Sequence, residues 1–576
     1  MRLDEKSVNG RIYFIYISLS IAFLCVLIRL TYLQTYRHQE LKEKADLQQR
    51  RAISLAKKRG VITDRNGSIL AIDSDSISVY SYAKEYDFSK YTINKITRDL
   101  AKALDIKEDF LKNKISNSGF TWIKRQMPVG YKKILDKLDI PGIGYVHESK
   151  RIYPKKNLAA SLIGFTGIDN TGLAGIEISF DSVLINKNDE EKIFLDGMGR
   201  EVVSKSKNQV TTGKAKTNTI KLSLDEKIQH VSERELKNGV NLYKAKKGLV
   251  AVMDLETGDL LSFATYPSYD LNNPPNNWGV INNWGVSEIY EPGSTMKIFS
   301  IASALEKKKV GINEIVACPS EINVGGWQVE DHGSWGTRML TPLDIIKVSS
   351  NTGASIVTRR IPPKDHRDIL SKFGFGKRTD SNLTGEIGGI LPELPWDQVR
   401  QSTISFGQGI SVTPIQILTA MTAIARGGMK IEPRIIKEIS GIDGKVIKEY
   451  KSKETRTLSK DTADKMKNLM MSVVEDKEGT GRATHIPGYV IGGKTGTADK
   501  VENGVYGANV MSSFLGFYPA ENPKILQFVL LDSPQTARFA SMTAVPIYKK
   551  IAIDTLKILK IPPTRPEDLI EKDNKL

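Results

Sequence analysis

The sequence predicts an α+β protein that carries one membrane-spanning helix at its N-terminus. Three observations support this prediction: an apolar run near the N-terminus, a polar segment at 204–219, and strand-like runs at both ends of the segment that follows, with helical patterns between them. Because 576 residues exceed what one ordinary hydrophobic core accommodates, we expect two or more domains.

The first element is an apolar helix predicted over 12–33. Its first two thirds carry no charge, and its length approaches the roughly 20 residues that cross a bilayer. A cleaved signal peptide is the alternative, but no A-x-A-like cleavage site follows the run. Arg2, Lys6 and Arg11 favour a short cytoplasmic tail at 1–11. We therefore expect a single uncleaved anchor, with the rest of the chain outside the cytoplasmic membrane.

The remaining chain divides into four segments. Residues 34–58 are strongly charged and indicate a stalk, while 59–203 mix short strand-like runs with turns and indicate a mixed α/β domain. Residues 204–219 are nearly free of apolar side chains and indicate a linker. The last segment, 220–576, is the α+β domain. Its predicted elements begin with a helix at 225–242 and strands at 248–253 and 260–264. A strand that runs from 489–491 into Lys494-Thr-Gly496, strands at 513–517 and 525–531, and a helix at 544–559 close the domain.

Composition bears on the possible partners. The formal net charge of +17 indicates either affinity for polyanions, such as lipid headgroups, or a lysine-rich solvated surface. No pattern of a nucleic-acid-binding module is visible, so we expect no DNA or RNA partner. Cys25 and Cys318 are far apart in the chain and are not expected to pair. The six histidines are scattered, so we predict neither a metal site nor a cofactor.

A serine and a lysine three residues apart, Ser294 and Lys297, begin a run of helical periodicity. At this spacing both side chains lie on one helix face, so the amine can take the proton of the hydroxyl if the amine is neutral. Burial beside a second cation, for which Lys494 is the candidate, would lower the pKa of Lys297 enough. Alone, the pair would equally fit a helix cap beside a solvated lysine.

Two further runs contain residues suited to the same chemistry. The hydroxyl of Ser349 could relay a proton, and the amide of Asn351 could hold Lys297 or the backbone of a substrate. The alternative for Ser349-Ser-Asn351 is a loop in which these side chains form hydrogen bonds with their own backbone. Lys494-Thr-Gly-Thr497 follows two glycines that permit close approach of the backbone. A strand edge there could pair with an extended peptide, and Lys494, Thr495 and Thr497 could bind a terminal carboxylate. A glycine-rich turn is the alternative.

The three runs in this order, S-x-x-K, S-x-N and K-T-G, form the pattern of the penicillin-recognising serine acyl-transferases. Over nearly its whole length the chain resembles the class B penicillin-binding proteins. The other runs that carry this resemblance are Arg59-Gly-Val-Ile62, Arg151 with Tyr153-Pro154, Phe406-Gly-Gln-Gly409, Gly479-Thr-Gly481 and Ser513-Phe-Leu-Gly-Phe517. The resemblance implies a pedestal of the dimerisation type at 59–203, and a transpeptidase domain at 220–576 whose antiparallel sheet packs between helices.

The resemblance also implies a serine-type D-Ala-D-Ala transpeptidase that works without a cofactor. Ser294 would attack a peptidoglycan stem peptide made from a lipid-linked precursor, release the terminal D-Ala and pass the acyl group to an amine of a neighbouring stem. Backbone N–H groups of Ser294 and Thr497 would form the oxyanion hole, and β-lactams would be covalent inhibitors. The implied catalytic residues are Ser294, Lys297, Ser349 and Asn351. The implied substrate-binding residues are Lys494, Thr495, Gly496 and Thr497.

Within this class, the sequence Ser349-Ser-Asn351, rather than S-x-D, favours the divisome enzyme, which acts at the septum. Its partners would be a SEDS-type, FtsW-like glycosyltransferase and other divisome membrane proteins. A transpeptidase of side-wall elongation is the alternative. A membrane-anchored β-lactam sensor would need several spans, and a β-lactamase would need a glutamate–water motif, which we do not find.

Overall fold

The computed structural model describes residues 5–38, 40–41, 51–54, 58–82, 86, 89–115, 120–185, 192–195, 201–202, 217–502 and 504–569. About half of the stalk predicted at 34–58 and most of the linker predicted at 204–219 lie outside these residues. The chain forms two compact units. The first consists of the described parts of Met1–Lys57, Asp75–Lys150 and Asn188–Lys214, and the second of those of Lys58–Ser74, Arg151–Lys187 and Ala215–Leu576.

The N-terminal helix extends over Glu5–Thr35. Its Tyr13–Thr35 part has a mean hydropathy of 2.2 and is, by length and composition, able to cross a membrane. The large apolar side chains of this part are exposed to the surroundings, which suits a lipid environment. The predicted apolar helix is therefore present, and it suggests a single-pass anchor.

The globular part of the first unit is a small α/β body. The second half of the strand Ile69–Tyr82 pairs antiparallel with Phe120–Pro128. The strand Ile143–Ile152 also pairs with Ile69–Tyr82. Ile77 and Val79 of the first strand lie in one core with apolar residues of the neighbouring helices. Those helices are Ile93–Leu104, Glu108–Ile115 and Lys132–Leu138, with a 3₁₀ turn at Val129–Tyr131. A separate sheet joins Arg51–Ser54, Lys192–Leu195 and Glu201–Val202.

Two parts of the predicted pedestal, 58–74 and 151–187, are compact with the second unit. A strand pairing ties the first part to that unit, and a buried ion cluster ties the two parts to each other. Ile62–Thr63 pairs in parallel with Thr219–Leu222. Glu177 lies between two arginines: its Oε2 is 2.7 Å from Nη2 of Arg59, and its Oε1 is 2.7 Å from Nε of Arg151. The side chains of Glu177 and Arg59 are fully buried, and that of Arg151 is 2% exposed.

Glu177→Ala is expected to lower the free energy of unfolding of the second unit by about 3–5 kcal/mol, because it leaves two buried guanidinium groups without their shared carboxylate. Denaturant unfolding of the full chain in detergent measures the shift. Glu314→Ala is the control, since the Glu314–Arg360 pair is more than a third exposed on both sides and its loss should cost within about 1 kcal/mol. Equal transition midpoints for the two variants would contradict this account.

A five-stranded antiparallel sheet forms the centre of the second unit. Its strands, in spatial order, are Leu260–Tyr266, Lys247–Asp254, Ile525–Asp532, Val505–Tyr518 and Gly492–Glu502. Val250 and Val252 pack on one face with the helices Glu226–Leu242 and Ala544–Ile558, whereas Leu249 and Ala251 pack on the other with Met296–Glu306. The predicted antiparallel sheet between helices is confirmed. Burial of both faces explains why the run 248–253 is apolar throughout.

The other elements of the second unit surround this sheet. The further helices are Ala160–Ile163, Gly175–Ser179, Asp181–Leu184, Trp278–Ile281, Trp284–Ser287, Pro342–Val348, Asn351–Thr358, Pro363–Phe373, Gln398–Ser405, Pro414–Ala425 and Lys460–Glu475, with 3₁₀ turns at Gly293–Thr295, Arg482–Thr484 and Ala540–Met542. The further strand pairs are Val316–Pro319 with Thr337–Leu340, Glu321–Val324 with Trp327–Glu330, Met429–Ile431 with Glu454–Arg456, and Ile436–Ser440 with both Thr219–Leu222 and Val446–Glu449.

Candidate active site

Ser294 lies in the 3₁₀ turn Gly293–Thr295, which leads directly into the helix Met296–Glu306. Every residue of this helix from Met296 to Leu305 is buried, so the helix is fixed in the core. One turn after the serine, the amine of Lys297 donates a hydrogen bond of 3.0 Å to Oγ of Ser294. The sequence prediction that these two side chains share one face is confirmed.

The hydroxyl of Ser349 lies between two amines. Nζ of Lys297 donates to Oγ of Ser349 at 3.2 Å and to its backbone carbonyl at 2.6 Å, and Nζ of Lys494 donates to the same Oγ at 3.1 Å. Ser349 ends the helix Pro342–Val348 in the left-handed region, with φ of 61°. This conformation is uncommon for a residue with a side chain. Here it lets one residue present both its carbonyl and its hydroxyl to Lys297.

The K-T-G run lies on an edge strand. Among the described residues, Gly492–Glu502 pairs only with Val505–Tyr518, so its other side can accept a further strand. A Cβ at Gly496 would lie 2.4 Å from Oγ of Ser513 and 2.9 Å from Cγ2 of Thr295. Glycine thus permits the edge strand to lie directly against the turn that carries Ser294.

Burial lowers the pKa of both Lys297 and Lys494, whose side chains are inaccessible to solvent. Burial, together with the charge of Lys494, lowers the pKa of Lys297 well below its usual value, and Asp331 opposes this in part. Burial lowers the pKa of Lys494 to about 7. Lys297 and Lys494 together therefore bind one shared proton more readily than two. When Lys494 carries that proton, Lys297 is neutral and can act as a base.

The efficiency of acylation by a penicillin should have a bell-shaped dependence on pH. It should rise as Lys297 loses its proton, well below the usual 10.5 of a lysine. It should fall near pH 7 as Lys494 loses the charge that attracts a carboxylate. Second-order rate constants measured on the full chain across pH test this, because they report the free enzyme. An efficiency that keeps rising above pH 7 would contradict a required cationic Lys494.

The structure places Asn351 differently from the sequence interpretation that its amide could hold Lys297. Within the described residues, Nδ2 of Asn351 donates instead to the carbonyl of Glu330 at 2.7 Å, because the helix Asn351–Thr358 begins beside the end of the strand Trp327–Glu330. Asn351 is nevertheless at the start of the helix that follows Ser349. The alternative, that its amide contacts a substrate backbone, stays a prediction.

Sequence reasoning missed two polar residues of this region. Thr480 accepts a hydrogen bond of 2.9 Å from the hydroxyl of Thr495. The run Gly479-Thr-Gly481 carries part of the family resemblance, but nothing in its spacing indicates this contact. Asp331, at most 9% exposed, accepts hydrogen bonds from residues 350–352. A lone aspartate in a loop gives no signal in the sequence.

The G-Q-G run supports the turn of Ser294 from behind. The backbone N–H of Gly293 donates to the carbonyl of Gly407 at 3.2 Å. A Cβ on Gly407, whose φ is 87°, would lie 2.2 Å from the carbonyl oxygen of Gly293. In addition, Glu291 accepts from the backbone N–H of Gly409 at 2.7 Å and from the hydroxyl of Tyr506 at 3.0 Å. These contacts fix the turn before Ser294 without touching its side chain.

Comparisons with known proteins agree with this geometry. The penicillin binding protein transpeptidase domain matches residues 248–552, and the penicillin-binding protein dimerisation domain matches 54–217. The probable peptidoglycan D,D-transpeptidase PenA of Neisseria gonorrhoeae is 34% identical over 97% of this chain and 94% of its own. Peptidoglycan D,D-transpeptidase FtsI of Escherichia coli is 31% identical over 95% of this chain and 91% of its own.

Among solved structures, penicillin binding protein 3 of Mycobacterium tuberculosis in complex with aztreonam superimposes with a TM-score of 0.69. It is 25% identical, and the match covers 89% of this chain and 99% of that one. The dimerisation domain precedes the transpeptidase domain along the chain, in the order that the sequence predicts. The relatives align over nearly their full length. The chain therefore belongs to the class B penicillin-binding proteins, the peptidoglycan D,D-transpeptidases.

Proposed function

We propose that this chain cross-links peptidoglycan stem peptides at the division septum through an acyl-enzyme on Ser294. The observation that carries the chemistry is a continuous set of hydrogen bonds: Lys297 contacts Ser294 and Ser349, and Lys494 contacts Ser349. A hydroxyl, an amine whose pKa burial lowers and a second hydroxyl are thereby in direct contact. These are the groups that serine acyl transfer requires.

In the first step, Lys297 takes the proton of Ser294 while the oxygen bonds to the carbonyl carbon of the penultimate D-Ala. The C–N bond to the terminal D-Ala then breaks, and the leaving amine takes a proton from Lys297 through the hydroxyl of Ser349. In the second step, an amine of a neighbouring stem attacks the ester. Its proton returns to Ser294 as the serine leaves, so the enzyme is regenerated and one cross-link is made.

The edge strand would hold the substrate. An extended stem peptide that pairs with Gly492–Glu502 makes main-chain hydrogen bonds there. The terminal carboxylate then lies near Thr495 and Thr497, within the field of Lys494. Backbone N–H groups of Ser294 and Thr497 would bind the developing oxyanion, and each such donor contributes roughly 3–4 kcal/mol in comparable enzymes. β-Lactams would acylate Ser294 through the same contacts.

The septal role is supported by the likeness to FtsI of Escherichia coli and by Ser349-Ser-Asn351. The apolar segment Tyr13–Thr35 would be the anchor, with Arg2, Lys6 and Arg11 holding the N-terminus in the cytoplasm and the catalytic unit outside. A SEDS-type glycosyltransferase would meet the enzyme through the anchor or the first unit. Nascent glycan would then be cross-linked where it is polymerised.

Replacing residues 13–35 by an unrelated apolar span is expected to leave penicillin binding intact but to abolish midcell recruitment. The reason is that the span would still hold the catalytic unit at the membrane while losing the surface that a membrane partner contacts. Fluorescent fusions in cells depleted of the native protein measure localisation, and a labelled penicillin measures binding in the same cells.

Depletion of the protein should give filaments with continuous side walls, and the wild-type fusion should restore division. Round, swollen cells on depletion, with the wild-type fusion dispersed along the envelope, would instead assign the enzyme to elongation. A Ser294→Ala fusion that still reaches midcell but does not restore division would separate recruitment from catalysis.

A further inference from the structure

Asp331 follows the hairpin Glu321–Val324/Trp327–Glu330 and points its buried carboxylate at the start of the helix Asn351–Thr358. Its Oδ2 accepts from the hydroxyls of Ser350 at 2.7 Å and Thr352 at 3.1 Å. Its Oδ1 accepts from the backbone N–H of Thr352 at 3.0 Å and also from that of Asn351. Both oxygens are thus fully used by the three residues that follow Ser349.

These bonds bear directly on Ser349. Because residues 350–352 are tied to one carboxylate, the left-handed conformation of Ser349 and the direction of its carbonyl are fixed from the C-terminal side. That carbonyl receives the 2.6 Å hydrogen bond of Lys297. The neighbouring carbonyl of Glu330 holds Nδ2 of Asn351 at 2.7 Å. The end of the hairpin therefore contacts every residue from Ser350 to Thr352.

The hairpin also packs against the Phe406-Gly-Gln-Gly409 run, which supports the turn that carries Ser294. Val324 and Val329, one on each strand, are buried in a small cluster with Phe406. Phe406 precedes Gly407, which lies against the backbone of Gly293. The hairpin thus connects Ser349-Ser-Asn351 to the same loop that fixes the turn of Ser294. This connection keeps the hydroxyls of Ser294 and Ser349 at a constant distance from the amine of Lys297.

The charge of Asp331 acts on the same group. The ionisable groups that face Lys297 are Lys494, Asp331 and His332, and those that face Asp331 are Lys297, His332 and Cys318. His332 in turn faces Asp499 and Arg538. In the part of the chain that the structure describes, Asp331 is the one nearby charge that raises the pKa of the Lys297 amine. Neutralising it should therefore make Lys297 lose its proton at lower pH.

We propose that Asp331 is a positioning residue for the acylation of Ser294, which fixes the backbone of residues 350–352, thereby holds Ser349 against the amine of Lys297, and supplies the negative charge that Lys297 faces. The proposal rests on the acyl-transfer function proposed above. Asp331 lies outside the three motifs. It acts through the backbone of residues 350–352 and through the charge of its carboxylate, not by contact with the substrate.

The test compares Asp331→Asn and Asp331→Ala in the full-length protein in detergent, with a fluorescent penicillin as the probe. The amide of Asp331→Asn occupies the same space, and the hydroxyls of Ser350 and Thr352 can turn to accept from it, so the fold is retained. Charge-assisted bonds become neutral ones, and acylation efficiency should fall about tenfold. The rising limb of its pH profile should shift to lower pH, which a merely structural residue would not cause.

Asp331→Ala removes the charge and also the hydrogen bonds that the Asp331 carboxylate accepts from residues 350–352. The expected loss of acylation efficiency is on the order of 100-fold, as for a displacement of reacting groups by about 1 Å. Glu386→Gln is the matched control, because Glu386 is also buried and its carboxylate also accepts four bonds, from the backbone and hydroxyls of Thr379 and Ser381. This control should lose stability like Asp331→Asn but keep the acylation efficiency and pH profile of the wild type.

Wild-type efficiency and an unmoved pH profile in Asp331→Asn would overturn the proposal, as would wild-type efficiency in a folded Asp331→Ala. The failure of the proposed function is a different result. In that case the wild-type protein itself would form no penicillin adduct on Ser294, whatever stands at position 331.

Discussion

Ser294→Ala is expected to abolish covalent labelling by a penicillin and with it all cross-linking. The hydroxyl of Ser294 is the group that Lys297 contacts at 3.0 Å, and alanine leaves no oxygen to form the ester. The fold should persist, since the variant removes a single hydrogen bond, whose net contribution is about 1 kcal/mol. Intact-mass measurement of the protein after incubation with a penicillin, followed by peptide mapping, gives the result.

Ser300→Ala is the matched control for this change. Ser300 lies in the same buried helix, and its Oγ has no hydrogen-bond partner among the described residues. The control should label like the wild type. A penicillin adduct that maps to Ser349, or one that persists in Ser294→Ala, would show that the nucleophile is wrongly assigned.

Lys297→Arg is expected to reduce the rate of acylation by a factor on the order of 10² to 10⁴, the usual contribution of general base catalysis. A guanidinium group stays protonated under all conditions that a protein survives, so it cannot accept the proton of Ser294 even when buried. Stopped-flow or gel-based labelling over time measures the rate constant, and thermal unfolding of the same sample shows whether the larger side chain is accommodated.

Lys307→Arg provides the comparison, because Lys307 follows the same helix but is partly exposed and pairs with Asp365 at 3.1 Å, a contact that arginine also makes. It should acylate normally. A folded Lys297→Arg protein that acylates at the rate of this control would show that another group takes the proton.

The three motifs could be found from the sequence because their chemistry dictates their spacing. Ser294 and Lys297 must share a helix face, and a K-T-G strand needs glycine where it approaches that helix. The sheet was predictable for a similar reason: an apolar run such as 248–253, followed by a turn and a second run, has few other interpretations. The structure confirms both the helix and the sheet.

Other parts of the site could not be read from the sequence because they depend on contacts between distant segments. Asp331 reaches residues 350–352 only because a hairpin and a helix meet there, and Thr480 reaches Thr495 across two elements. The left-handed turn at Ser349 has no glycine to indicate it. Likewise, the contact of 58–74 with 151–187, which both group with the second unit, depends on the shared burial of Arg59, Arg151 and Glu177.

Gly407 and Gly496 leave no room for a side chain beside the turn of Ser294, which limits the evolutionary routes to drug resistance. A side chain at Gly407 would meet the carbonyl of Gly293, and one at Gly496 would meet Ser513 and Thr295. A substitution at either position displaces the nucleophile for substrate and inhibitor alike. Variants that escape a β-lactam yet still cross-link stem peptides are therefore expected to keep both glycines.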